Sequence, residues 1–464
     1  MSCSIFLSKW AWKAATPNDI EYLPGRNENS PLTIDQVCKA WRQLCRGNSR
    51  LYSDIHVVNP TQQDVARTIA CLSGSQRILH YIFRRRRQAA TADESANTDC
   101  LFPWHRILKL VFANAHRVEK LYLQIPIGPK EEGWDYTLTL RRHIDWDGLA
   151  FPLLTTLHFH DEVSLYMSED SFFKPLVTRA CATSTRLTDM RLDPTFAFVH
   201  IIGVDPLNRL RPCASIIPWK YLTSLTIAIH HVKEMLPILR QCPLLQELYL
   251  KSDICWSSTR EEPVGEPVFL PSLWCLVLFV DGSNRNTFAP LLYLKVPALK
   301  SLSLQTPIER DLFPDLNAPR KSSHLFGALT VFHRLNPECR IQTFSSFQKW
   351  DLRDHGYRQI LSLPIFDDLI SFKTHDTIGD EILEWMTWDR TSDDPQVLPK
   401  LQTFSAHVHA KDGVVSRMVA SRVLDVPTPV LRKVRAVFIQ GPKRESEWET
   451  RLRPSMEWIG YSVR

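Results

Sequence analysis

The sequence predicts an α/β fold in which short strands and helices alternate and stack into a curved solenoid. A parallel sheet would form the concave side and helices the convex side, behind a small helical N-terminal module. Three observations predict it. A phrase of the form Pro-x-Leu-x-x-Leu-x-Leu recurs along the chain. Each copy ends in period-2 alternation, the mark of a strand with one buried face. Apolar residues at helical spacing lie between several copies.

The cleanest copies start at Pro152 (PLLTTLHF), Pro243 (PLLQELYL), Pro271 (PSLWCLVL), Pro297 (PALKSLSL), Pro399 (PKLQTFSA) and Pro429 (PVLRKVRA). Looser copies start at Arg117 (RVEKLYL), Arg186 (RLTDMRL), Tyr221 (YLTSLTI), Arg340 (RIQTFS) and Leu369 (LISFKT). The proline lacks an N–H and disfavours helix at the residue before it, so it suits the stop between a helix and the next strand. Helical halves precede some copies. Val232, Met235, Leu236 and Leu239 form one stripe, and Val414, Val415, Met418, Val419 and Val423 another. The spacing is irregular: the first apolar positions step from 23 residues (222 to 245) to 42 (299 to 341). The plan resembles that of leucine-rich repeats, whose period is roughly 20–29 residues. The longer steps imply insertions, and the asparagine that follows the strand in regular repeats is missing from these copies. An ordinary α/β domain with leucine-rich strands is the competing reading.

The chain has 464 residues, 44% hydrophobic and 23% charged, a globular composition. No apolar run approaches the roughly 18 residues that span a bilayer. Lys9 and Lys13 break the N-terminal apolar stretch, which makes it a poor signal peptide. The 11 cysteines are scattered without a CxxC pair, and Cys38, Cys242 and Cys275 sit at core-like positions. Reduced thiols in the cytoplasm or nucleus are expected. The 14 tryptophans, Trp41 and Trp274 among them, are expected mostly in the core. The formal charge of +6 is mild for this length. Its one concentrated patch, Arg84–Arg87, reads as an exposed loop near 84–100 beside a strand at Leu79–Phe83, so nucleic acid is not the expected partner.

Residues 30–55 form a distinct module within a first unit of 1–57, ahead of the solenoid at 58–464. Ser30 caps a helix, Pro31 suits its first position, and Gly47 follows its end. Leu32, Ile34, Val37, Cys38, Trp41 and Leu44 make its apolar stripe, and Leu51-Tyr52-Ser53-Asp54-Ile55 begins a second apolar turn. The Val37-Cys38-x-x-Trp41 core followed by Leu51, Tyr52, Ser53 and Ile55 resembles the second half of an F-box. With the repeats behind it, the chain resembles the F-box/leucine-rich-repeat proteins of mushroom-forming fungi. That resemblance implies a non-catalytic substrate receptor of an SCF-type cullin–RING ubiquitin ligase. The same six apolar residues would contact the ligase adaptor subunit. The family's opening Leu-Pro-x-Glu phrase has no counterpart here, so the F-box is partial. A plain solenoid cap, in a binding scaffold or inhibitor without a ligase, is the alternative.

In strands of this kind leucines face the core and the residues between them face outward. That places His158, His160, Asp189, Arg191, Glu247, Tyr249, Lys251, Ser303, Gln305, His407 and His409 on the inner wall. Such a mixed surface suits a target protein. His158/His160 and His407/His409 have zinc-compatible spacing, but the pairs lie many repeats apart, so no metal is expected. No phosphate loop, GxGxxG, HExxH or GxSxG phrase occurs. Neither an enzyme nor a cofactor is expected.

Overall fold

The computed structural model describes residues 54–58, 79–84, 108–125, 146–161, 173–193, 216–229, 232–252, 265–280, 285–305, 323–347, 352, 354–389, 396–411, 413–424, 430–438 and 457–462. In chain order the strands are β1 (Asp54–Val58), β2 (Leu79–Arg84), β3 (Val118–Ile125), β4 (Thr156–Asp161), β5 (Asp189–Asp193), β6 (Ser224–Ile229), β7 (Glu247–Ser252), β8 (Val268–Phe269), β9 (Cys275–Val280), β10 (Leu294–Lys295), β11 (Ser301–Gln305), β12 (Thr343–Ser346), β13 (Ser371–Ile378), β14 (Thr403–Val408), β15 (Lys433–Phe438) and β16 (Glu457–Ser462). Among the described residues the helices include α1 (Phe173–Thr183), α2 (Val232–Leu239), α3 (Ser323–Leu335), α4 (Asp354–Leu361), α5 (Asp380–Met386) and α6 (Val414–Val423), and residues 108–113 are helical as well.

The molecule is α/β. Fourteen strands form one parallel sheet in chain order, and β8 and β10 pair separately. Strict sequential order means each unit touches chiefly its neighbours, as stacked strand–helix units require. Each of the eleven phrases found in the sequence supplies one strand of that sheet, from β3 at Arg117 to β15 at Pro429.

The phrase works through its turn. In the copy at Pro243 the N–H of Leu245 donates to the carbonyl of Cys242, and Leu273, Leu299 and Leu401 donate likewise to Leu270, Val296 and Leu398. Each is a turn with proline at its second position, where the fixed φ is already correct. The next residue then joins a backbone ladder. The Gln246 N–H donates to Thr223, Trp274 to Gln246, Lys300 to Trp274, Gln342 to Lys300, Ile370 to Gln342 and Gln402 to Ile370. This ladder ties successive units together at the strand entrances.

One face of the sheet carries the core. Leu121, Leu157, Met190, Leu225, Leu248, Leu276, Leu302, Phe344, Phe372, Phe404 and Val434 share one register row and are fully buried. Met235, Leu236 and Leu239 of α2 and Val415, Met418 and Val419 of α6 pack into the same core.

Asp54-Ile55 opens β1, which pairs with β2. Two expectations are corrected here. Trp274 is not a core residue but 41% exposed. Cys275 lies on the sheet face opposite the leucine core, against Tyr249, Val277 and Phe279. The four described cysteines, Cys181, Cys242, Cys275 and Cys339, are free thiols. Burial pushes the first, second and fourth up to about 12, far from a reactive thiolate. No helix among the described residues is long and apolar enough to cross a membrane.

Candidate functional site

The non-leucine face of the sheet presents one side chain per strand at each level, because same-face neighbours stand in register about 4.8 Å apart. At one level the row runs Tyr122, His158, Arg191, Thr226, Tyr249, Val277, Ser303, Ser345, Lys373, Ser405, Arg435. The row one step earlier contains Asp189, Ser224, Glu247, Cys275 and Ser301.

Five of the residues singled out in the sequence meet across β4 to β7. His158 Nε2 lies 2.8 Å from Asp189 Oδ2, and Arg191 Nε donates to Asp189 Oδ1 at 3.2 Å. The other end of the guanidinium reaches Glu247 Oε2 at 3.5 Å. That oxygen also accepts from the Tyr249 hydroxyl at 3.4 Å and the Ser224 hydroxyl at 3.5 Å. The Arg191 guanidinium stands 4.8 Å over the Tyr249 ring. The His158 ring meets Tyr122 edge to face at 4.5 Å. His158, Asp189, Arg191 and Glu247 keep 21, 23, 22 and 28% of their side-chain surface, so a partner can reach the network but water does not surround it.

Burial and charge set the protonation states. Burial holds His158 below its ordinary 6.5, against the hydrogen bond and charge of Asp189, which pull it up. Burial pushes Asp189 up, but His158 and the Arg191 charge together outweigh it and hold the carboxyl below its usual range. Burial pushes the Tyr249 phenol up to about 12, so it stays a donor. At neutral pH His158 is thus a neutral imidazole, Asp189 a carboxylate, Arg191 a guanidinium and Tyr249 a phenol.

The sign for His158 is definite. Its folded pKa is below its unfolded value near 6.5, so its contribution to stability is present above 6.5 and is lost as pH falls from there toward the folded value. An NMR titration is expected to give a His158 midpoint below 6.5. Asp189→Asn should move it lower still, because both effects that raise it come from Asp189. A midpoint raised by that substitution would contradict the assignment.

Further along the face the structure departs from the expected open wall. Tyr249, Val277 and Phe279 form a small apolar cluster of their own, each 9% exposed or less. Ser303 and Gln305 are buried at 8% each, with Gln305 Nε2 donating to Ser303 Oγ at 3.4 Å. Short side chains on closely spaced parallel strands sit beneath larger neighbours, here Val277 and Phe279 in register beside them. The face opens again at β13 and β14, where Lys373, His375 and Thr377 are exposed. His375 stacks on His407 at 5.7 Å, and Phe347 meets His375 edge to face at 5.1 Å.

His409 lies just past β14, exposed, with its N–H donating to Ile378. For His160 and Lys251 the backbone places are fixed, beside Asp193 and Phe279 respectively, and the side chains lie outside the described residues. Leu32, Ile34, Val37, Cys38, Trp41 and Leu44 also lie outside them, as does the loop after Arg84. His158 and His407 stand eight strand spacings apart along the sheet, on the order of 35–40 Å. Among the described residues no group of three or more His, Cys, Asp or Glu is placed to hold a metal. Sequence reasoning missed Tyr122, Cys275, Val277 and Phe279. In CLVLFV both faces of the strand are apolar, so alternation gives no sign of which residues face outward.

No protein-family profile matches the chain, and no curated protein matches it. Among solved structures, a Bacteroides fragilis protein determined as a Northeast Structural Genomics Consortium target is similar over 61% of this chain and 73% of that chain. The identity is 13% and the TM-score 0.26.

Proposed function

We propose that this chain is a leucine-rich-repeat protein that captures a protein partner on the sheet face opposite its core, without catalysing a reaction itself. In this reading it is the substrate-recognition subunit of an SCF-type ubiquitin ligase in the cytoplasm or nucleus. The F-box-like residues Val37, Cys38 and Trp41 and their neighbours would hold the adaptor subunit. One observation carries the binding half of the reading. The non-leucine face carries a part-exposed charge network at β4–β7 and an exposed Lys373/His375 group at β13, separated by the buried stretch around Val277, Phe279, Ser303 and Gln305. Surfaces of mixed charge with tyrosine and arginine near their centre suit protein partners. The ligase half rests on the resemblance of residues 30–55 alone.

The face is tested by reversing two charges far apart on it, Glu247→Lys and Lys373→Glu in one variant. Affinity for a captured target is expected to fall at least tenfold, about 1.4 kcal/mol, while circular dichroism stays that of the folded wild type and the thermal midpoint falls only by the loss of the Arg191–Glu247 pair. Undiminished affinity in the folded variant would remove the sheet face from the binding reaction.

A further inference from the structure

Among the described residues, four of the six exposed large apolar side chains fall in three consecutive units. They are Tyr221 at 46%, Leu244 at 51%, Phe269 at 56% and Trp274 at 41%. Single exposed apolar residues are ordinary on any surface. A contiguous group is not.

The backbone fixes their contiguity. The ladder runs from Thr223 to Gln246 to Trp274 to Lys300, one strand spacing per step. Tyr221 and Leu244 each precede a ladder residue by two positions, and Phe269 precedes Trp274 by five, paired to Lys295 of the next unit. Tyr221, Leu244 and Trp274 therefore stand at the end of the sheet where β6, β7 and β9 begin, and Phe269 lies in β8, across the Pro271 turn from Trp274. This rim adjoins the charge network, whose Asp189 and Glu247 are the first residues of β5 and β7.

The free charge around them is mainly positive. The segments entering β5, β6, β7, β9 and β11 carry Arg186, Lys220, Arg240, Lys295 and Lys300 against Glu266, and the Asp189 and Glu247 carboxylates that open β5 and β7 are engaged by His158 and Arg191. Arg240 donates to the backbone carbonyl of Glu266 at 2.8 Å, not to its carboxylate. Lys220 Nζ lies 4.8 Å over the Tyr221 ring and Lys295 Nζ lies 5.8 Å from the Phe269 ring, so the cations border the apolar group directly.

We propose that this rim is a second docking surface, and that its occupant is a linear protein segment bearing apolar side chains flanked by Asp or Glu. The apolar group spans three units, roughly 10 Å across the strands, which suits a short segment laid over the rim. The side chains of Thr223 and Gln246 between the aromatic ones offer hydrogen bonds that a peptide can meet and hydrocarbon cannot. The complementary charge follows from the lysine and arginine border.

The test is selection of 16-residue peptides from a displayed random library on the full chain. Binding of the enriched synthetic peptides is then measured against wild type, Phe269→Ser/Trp274→Ser and Lys373→Glu. Both substituted rim positions are exposed, so the rim variant is expected to keep its thermal midpoint. The expected result is peptides rich in aromatic or aliphatic residues with Asp or Glu beside them. Binding should weaken at least tenfold in the rim variant, weaken with added salt, and remain unchanged in Lys373→Glu. Four outcomes overturn the proposal: no enriched peptide, enrichment without acidic bias, equal binding by the rim variant, or rim-dependent binding only to phosphatidylserine vesicles. The last would assign the rim to a membrane surface. None of these outcomes bears on the adaptor or the sheet face, which the Glu247→Lys/Lys373→Glu variant tests separately.

Discussion

Replacing Arg422 by alanine is expected to cost about 3–4 kcal/mol of stability. Arg422 is fully buried in α6 and pairs with no carboxylate among the described residues. Its guanidinium instead donates to three main-chain carbonyls: Met386 through Nε and Nη2 at 3.0 and 2.7 Å, Leu398 at 2.9 Å and Val397 at 2.8 Å. It also lies 4.5 Å over the Trp388 ring. Burial pulls its pKa down to about 9, which still leaves it charged at neutral pH. The carbonyls belong to the segment between α5 and β14, where Leu398 has a φ of 46°, a left-handed conformation rare for a branched side chain. Arg422 is what holds that turn. Alanine would leave a cavity and remove the donors from all three carbonyls. Because stacked units are coupled mainly to their neighbours, the loss should be local first. Hydrogen exchange is expected to accelerate in β13–β15 before β4–β9. A loss below about 1 kcal/mol in chemical denaturation would contradict this account.

Asn336→Ala is expected to cost about 2–3 kcal/mol. Asn336 follows α3, is buried at 2%, and bridges two units. Its side-chain oxygen accepts from the Val296 N–H, and its amide donates to the Leu294 carbonyl at 2.9 Å and the Phe332 carbonyl at 3.0 Å. The Leu294 and Val296 groups belong to the turn that enters the phrase at Pro297, and no other described residue replaces Asn336 there. Asn336→Asp keeps the acceptor but removes both donors and buries a charge, so it should be at least as destabilising. Retention of wild-type denaturation midpoints by both variants would mean that water or a neighbour replaces the amide.

The strands were legible in the sequence because their signal is local. An apolar residue three before the strand's first core residue, an alternating tail and, in six copies, a proline two residues before that apolar residue locate β3 to β15 in the main sheet, since each of those residues acts within its own unit. β16 carries no such phrase, and β8 and β10 are two-residue pairs below the length at which alternation registers. Arg422, Asn336 and the buried set in which the Tyr357 hydroxyl bonds Thr374 and Asp376 at 2.8 and 2.7 Å had no local signal. Each is a polar side chain whose partners lie 17 or more residues away or on another element, and helical or strand periodicity reads such residues as surface. The charge network was legible in part. Alternation put His158, Asp189, Arg191, Glu247 and Tyr249 on one face, and only the strand order and register brought them within bonding distance. Alternation could not tell that Ser303 and Gln305 are buried, because that depends on the size of the side chains on the adjoining strand.

The central claim is that this chain carries targets to a ligase. It is tested most directly by measuring binding of the purified full chain to the ligase adaptor subunit, beside a Val37→Asp/Trp41→Ala variant shown to keep the wild-type thermal midpoint. The account predicts binding by the wild type and its loss in the variant. Absence of binding by the wild type, or equal binding by the variant, would contradict the ligase role.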